Sequence, residues 1–296
     1  GREGKRADWL KAVPERVPLG SERPKGAVYH FLLGDGGMAV YGQGNEGKPI
    51  REMAGEALAA IEVWRKEFCG PVEEDDREAL VELSEAIDRL WDRHVGLLRR
   101  IRARTTDPLA VYGKPLPRGT RGPTTTAEKD AIWEMEMESK EVRAASPYRR
   151  LKLVMDYWCA LWFWPIEQVD LLPDRDEFLA DLALLLDTDV LTTLQGDAQK
   201  ELFAPTMPAD QAKALADELG IVDVDKMVGR SERLQLVEEM GRRYRFLHWE
   251  LEYADLFADR GGFDLMVGNP PWIRVQWSEG DALGDADPSF VLKKLS

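Results

Sequence analysis

Four consecutive residues near the end of the chain, Asn269-Pro270-Pro271-Trp272, have the types and spacing to do chemistry on a flat, amino-bearing ring. An exocyclic amino group is a poor nucleophile because its lone pair is delocalised into the ring. Two acceptors aimed at its two N–H groups favour a more tetrahedral, more reactive nitrogen. The side-chain oxygen of Asn269 and the backbone carbonyl of Pro270 are suited to be those acceptors. Successive prolines fix two φ angles and add no competing donor, so the acceptors are preorganised. Trp272 would then stack on the ring face.

Such a turn must be held by something rigid. Residues 263–267, Phe-Asp-Leu-Met-Val, read as a short strand in a sheet covered on both faces. Gly268 and the tetrapeptide would lie beyond its carboxyl end, where open parallel sheets place their ligands. A Gly261-Gly262 turn precedes the run, and residues 246–253 read as an alternating or short helical stretch.

Upstream, the reading is mainly helical. Residues 1–50 form a strand-and-turn lead-in, 51–245 a helical domain, and 246–296 the segment carrying the turn. Met53, Ala57, Ile61, Trp64 and Phe68 share one helical face, and Gly70-Pro71 stops that helix. A longer helix over 75–104 carries Leu80, Leu83, Ile87, Leu90, Trp91, His94, Leu98 and Ile101 on its stripe; the short connection predicts an antiparallel pair. Further helices are expected over 127–141, 148–164, 176–194, 206–220 and 231–244. In the lead-in, residues 27–33 read as a strand. The Gly34-Asp35-Gly36-Gly37 that follows fits neither a dinucleotide fingerprint nor a P-loop and reads as a tight turn.

The 296 residues are 44% hydrophobic, enough for a large core, and 32% charged. A net charge of −14 excludes a chain that clamps nucleic acid over its whole surface. One basic cluster stands out: Arg93, Arg99, Arg100, Arg102 and Arg104 at the end of the long helix, then Lys114, Arg118 and Arg121 in a loop. Cations suit a helix C-terminus; Lys114, Arg118 and Arg121 are also the candidate nucleic-acid contacts. Cys69 and Cys159 read as buried thiols, and three scattered histidines give no ligand spacing, so no metal site is expected. The apolar run over 151–165 is too short and too charged to span a bilayer. No secretory signal is visible, and a cytoplasmic protein without a membrane partner is expected.

Asn269-Pro270-Pro271-Trp272 resembles the Asn/Asp-Pro-Pro-aromatic motif of S-adenosylmethionine-dependent amino-methyltransferases. Together with residues 248–257 and 263–275, it resembles the large N6-adenine DNA methyltransferases of type IIG restriction–modification and phage-defence systems; the close likeness covers about 30 residues. The resemblance implies a mainly α chain with a small α/β portion: a helical insertion domain plus part of a Rossmann-like methyltransferase sheet. It implies Asn269 and Pro270 as acceptors for the amino group, Pro271 as the second rigid link and Trp272 as the stacking residue. It implies S-adenosylmethionine as cofactor and double-stranded DNA as substrate, with other defence subunits or a fused nuclease as further partners. The family's glycine-rich cofactor loop has no counterpart here. The expectation is therefore a piece of a larger protein, with that loop before Gly1 and target recognition after Ser296.

Two other readings stay open. The same motif serves enzymes that methylate a glutamine amide in a protein, although a helical region this long favours DNA. Alternatively, the helical domain is a non-catalytic scaffold. Pro173-Asp174 and Asp176-Glu177 carry a weak nuclease pattern but lack a well-placed lysine, and they read better as a helix start.

Overall fold

A computed structural model describes residues 14–41, 47–110, 112–116, 119, 122–134, 146–186 and 224–269. The chain divides into two compact units, Gly1–Gly262 and Phe263–Ser296. The first is mainly helical. Two short strands, β1 (Arg16–Val17) and β2 (Val28–Tyr29), pair in parallel with Arg16 opposite Val28 and Val17 opposite Tyr29. The expected strand over 27–33 is thus cut to two residues. After Tyr29 the chain turns into a 3₁₀ helix, His30–Leu32, which buries Phe31 and Leu32.

Helix α1 (Gly47–Phe68) bends at Ala54, whose φ −135° and ψ 35° are not helical. Beyond the bend, Ile61 and Phe68 are buried, but Met53, on the same predicted stripe, is 88% exposed. The kink puts the first turns out of phase with the rest. Helix α2 (Glu74–Thr105) carries the expected stripe: Leu80, Leu83, Ile87, Leu90, Trp91, His94, Leu98 and Ile101 are all buried. The two helices do not form the expected pair. α1 packs chiefly on the 3₁₀ segment Ile166–Leu171, whereas α2 packs on α4 (Pro147–Ala160), α5 (Arg175–Leu186) and α9 (Ala254–Arg260).

Arg175 fixes the redirection between α1 and α2. Its guanidinium donates to the carbonyls of Phe68, Gly70 and Pro71 and to Asp76, at 2.8–3.0 Å. It satisfies carbonyls that the end of α1 leaves without helical partners. Asp174 and Glu177 form a reciprocal pair at the start of α5, with Glu177 N–H on Asp174 Oδ1 at 2.8 Å and Asp174 N–H on Glu177 Oε2 at 3.1 Å. These acids start a helix, as their sequence positions suggest. Helix α3 (Thr126–Trp133) begins with a capping box between Thr125 and Glu128. Ser146 and Ser231 cap α4 and α7 (Glu232–Tyr244). Short α6 (Val224–Val228) and α8 (Trp249–Glu252) complete the described helices.

One core joins these elements. Val28, Phe31 and Leu32 from the lead-in, Leu83 and Ile87 from α2, Leu153 and Tyr157 from α4, Phe178 and Leu182 from α5, Val237 from α7 and Leu251 from α8 belong to a single buried cluster. Phe178 packs edge-on against Phe68 and Tyr157, at ring-centroid distances of 5.4 and 5.0 Å. Each such pair contributes about 0.5–1.5 kcal/mol beyond its buried area. Gly34 and Gly37 are needed for close approach. A Cβ on Gly34 would lie 2.7 Å from the Phe68 ring, and one on Gly37 2.8 Å from the Trp162 ring. The Asp35 side chain accepts from Gly37 N–H at 2.9 Å, closing a tight turn.

Among the described residues no helix is long and apolar enough to cross a membrane. The helix expected over 206–220 lies outside the described residues.

Candidate functional site

Asn269 ends the described part of the second unit. Residues 263–269 take no regular secondary structure there and are exposed, with Leu265 at 79%, Met266 at 65% and Val267 at 87%. The expected buried strand over 263–267 is thus not formed. A strand is stabilised by neighbouring strands rather than by its own backbone bonds, and a five-residue run cannot supply them itself. Pro270, Pro271 and Trp272 lie outside the described residues.

Of the candidate phosphate-binding residues, Lys114 is exposed in the loop after α2, while Arg118 and Arg121 lie outside the described residues. The helical part of the basic cluster is partly neutralised. Arg102 makes a two-point contact with Asp255, a buried carboxylate, and Arg99 pairs with Asp259. Both acids sit on α9. Asp107 accepts from Thr124 N–H at 2.7 Å and from Lys129 Nζ at 2.6 Å, fastening the loop at its two ends. The Lys129 ammonium and the Thr124 amide hold the Asp107 carboxyl below its ordinary range.

Among the described residues, titratable side chains cluster at several places inside the helical unit, tying elements together. Tyr29 donates to Asp88 at 2.6 Å, and Arg23 bonds the same carboxylate. Burial, then the Asp88 contact, raises the Tyr29 hydroxyl above its ordinary range. Tyr157 donates to Asp181 at 2.9 Å, while Arg233 reaches Asp181, Glu177 and the Leu171 carbonyl. Asp156 is shared between His248 Nε2 at 2.7 Å and Lys152 Nζ at 2.6 Å. An Asp–His pair beside Cys159 suggests nucleophilic catalysis, but the thiol is pushed up to about 11 by burial and then by the Asp156 charge. It stays protonated at neutral pH and is a weak nucleophile. Cys69 is likewise raised by burial. Both cysteines are free and half-buried.

The structure also assembles a surface that the sequence reading passed over. At the end of α7, Tyr244 and Phe246 lie with Phe163, from the turn after α4, in a triangle of nearly parallel rings. Their centroid distances are 5.2, 5.8 and 5.9 Å, and their interplanar angles 19–30°. Phe163 is 50% and Tyr244 46% exposed. Arg242, Arg243 and Arg245, in the same stretch of chain, are exposed, and the Arg243 guanidinium lies 5.7 Å from the Tyr244 ring centre. Arg242 and Arg245 make no ion pair among the described residues. Arg245 caps α7 in the left-handed region, at φ 55° and ψ 51°, and this reversal brings Phe246 back beside Tyr244. The sequence signal was the interleaving of cations and aromatics in Arg242-Arg243-Tyr244-Arg245-Phe246.

No protein-family model matches the chain, and neither a curated protein nor a solved structure shows significant similarity to it.

Proposed function

We propose that this chain carries the catalytic turn of an S-adenosylmethionine-dependent N6-adenine DNA methyltransferase of the restriction–modification or phage-defence kind, acting in the cytoplasm on double-stranded DNA. The observation that carries the reading is the tetrapeptide Asn269-Pro270-Pro271-Trp272 directly after an apolar run. Asn269 and the Pro270 carbonyl accept the two amino hydrogens of an everted adenine, Pro271 stiffens the turn, and Trp272 stacks on the base. S-adenosylmethionine, when bound, would supply the methyl group; Asn269 and the Pro270 carbonyl would orient the amino nitrogen towards it, and the amino proton would pass to solvent.

Leu265, Met266 and Val267 are exposed rather than in the expected strand. A contiguous apolar run of this kind is normally covered, and the strands of a Rossmann-like methyltransferase sheet would cover it. In that arrangement the helical unit precedes the catalytic turn in the chain. A fused nuclease or other defence subunits would complete the system.

The test is transfer of labelled methyl from S-adenosylmethionine to adenine-containing duplex DNA by the full-length protein, comparing wild type with Asn269→Ala. Label on N6 of adenine that is lost in the variant is the expected result. A folded, cofactor-binding protein that labels no DNA overturns the reading. Label on a protein glutamine instead would transfer the same turn to a different substrate.

A further inference from the structure

We propose that the ring triangle Phe163, Tyr244 and Phe246, with Arg242, Arg243 and Arg245, is a binding platform for unpaired bases of a nucleic-acid strand. The site belongs to the helical unit and makes no use of Asn269, so it stands or falls separately from methyl transfer.

Three observations converge. First, the rings are mutually parallel within 30° and two of them are about half exposed. Flat parallel faces accept a base stack, and every base has a π face, so the contact tolerates any sequence. Second, three exposed arginines lie in the stretch that carries two of the rings, Arg243 with its guanidinium 5.7 Å from the Tyr244 ring centre, in a chain of net charge −14. Guanidinium groups pair with phosphates and also stack on bases. The overall negative charge repels a polyanion from most of the surface, so attraction is restricted to local basic patches such as this one. Third, Arg245 occupies a left-handed cap position. Glycine is usual there, and a residue with a Cβ costs about 1 kcal/mol more. That cost keeps a cation where a glycine would serve the helix better.

A partner protein would also value exposed aromatics and arginine. The stretch Arg242-Arg243-Tyr244-Arg245-Phe246 holds three cations and no acid, beside aligned rings. That composition complements a chain of phosphates and bases.

The experiment uses the 296-residue chain and fluorescence anisotropy of a labelled 20-nucleotide poly-dT strand and of a duplex of the same length. The strand should bind more tightly than the duplex, with a log–log salt slope no steeper than about −2, as expected for three phosphate contacts. Phe163→Leu combined with Tyr244→Leu keeps apolar volume but removes two π faces, and should weaken strand binding about tenfold or more. Arg242→Gln with Arg245→Gln should weaken it and flatten the salt slope, whereas Arg89→Gln, an exposed residue of α2, should not. The unmodified protein gives an independent reading. Irradiation with a 5-iodouridine strand should cross-link Phe163, Tyr244 or Phe246, identified by mass spectrometry. Cross-links confined to other residues, equal affinity for duplex, or ring variants that bind as wild type would overturn the proposal. So would absence of strand binding together with ring-dependent self-association, which would make the face a protein interface.

Discussion

His248 and Asp156 lie 92 residues apart in sequence and meet at 2.7 Å in the interior, where Lys152 holds the other carboxylate oxygen at 2.6 Å. The carboxylate anchors α4 to the segment that leaves α7. α7 itself approaches so closely that a Cβ on Gly241 would stand 2.7 Å from Asp156 Oδ2. Asp156→Ala should cost about 3–5 kcal/mol, because a histidine and a lysine lose their buried partner. Gly241→Ala should cost about 1–3 kcal/mol by overpacking. Urea unfolding measures both; a loss below about 1 kcal/mol for Asp156→Ala would show that the network does not hold these helices.

His94 gives the fold a dependence on pH. Its Nε2 lies 2.9 Å from the Leu251 carbonyl, which can only accept, so Nε2 carries the proton of a neutral ring. Burial lowers its pKa below the ordinary 6.5 despite that hydrogen bond. The unfolded chain therefore binds a proton first as pH falls. Stability is full above about pH 6.5, declines as pH drops from there towards the folded value, and levels below it. His94→Gln retains a donor without a titration. Its thermal midpoint should fall less than that of wild type between pH 7.5 and pH 5.5. His30 is shifted the same way, by burial first, so some dependence should remain.

The basic cluster should divide by function. Arg102→Gln should cost about 1–3 kcal/mol of stability, because it leaves the buried Asp255 short of a charged donor, with little effect on DNA affinity. Charge reversal at Arg118 and Arg121 should weaken DNA binding of the full-length protein and flatten its salt dependence. Unchanged binding at low salt would remove the loop from the interface.

Arg175→Lys should fail to rescue Arg175→Ala. One guanidinium spans four carbonyls, of Glu67, Phe68, Gly70 and Pro71, and a carboxylate, whereas an ammonium is a single point. Each variant should lose about 2–4 kcal/mol in chemical denaturation. Full stability in the lysine variant would mean that charge alone suffices.

The thiols should be quiet. With Cys159 at about 11, on the order of one molecule in a thousand is thiolate at pH 8. A disulfide reagent should label the native chain slowly and the unfolded chain at once.

The helices were legible where one face stays apolar over many turns. Every residue on the predicted stripe of α2 is buried, because one straight rod obeys one period. Met53 failed because a bend at Ala54 resets the phase, and a bend has no periodic signature. The run over 27–33 has strand-forming residues, yet after Tyr29 it coils into the core; burial against α4 outweighed local preference. At the candidate site, the strand expected over 263–267 did not form, because a strand depends on neighbours that a linear pattern cannot supply. The aromatic triangle was half legible. Its cations and two rings are contiguous in sequence, but Phe163 arrives from the turn after α4, and only tertiary packing brings it there.

Gly34 and Gly37 press the backbone of the lead-in directly onto Phe68 and Trp162. The first part of the chain therefore packs directly on the helices at these two points. A version of the protein shortened to begin at residue 51 would open two aromatic-lined gaps on its own surface. It should clump rather than serve as a free-standing helical module.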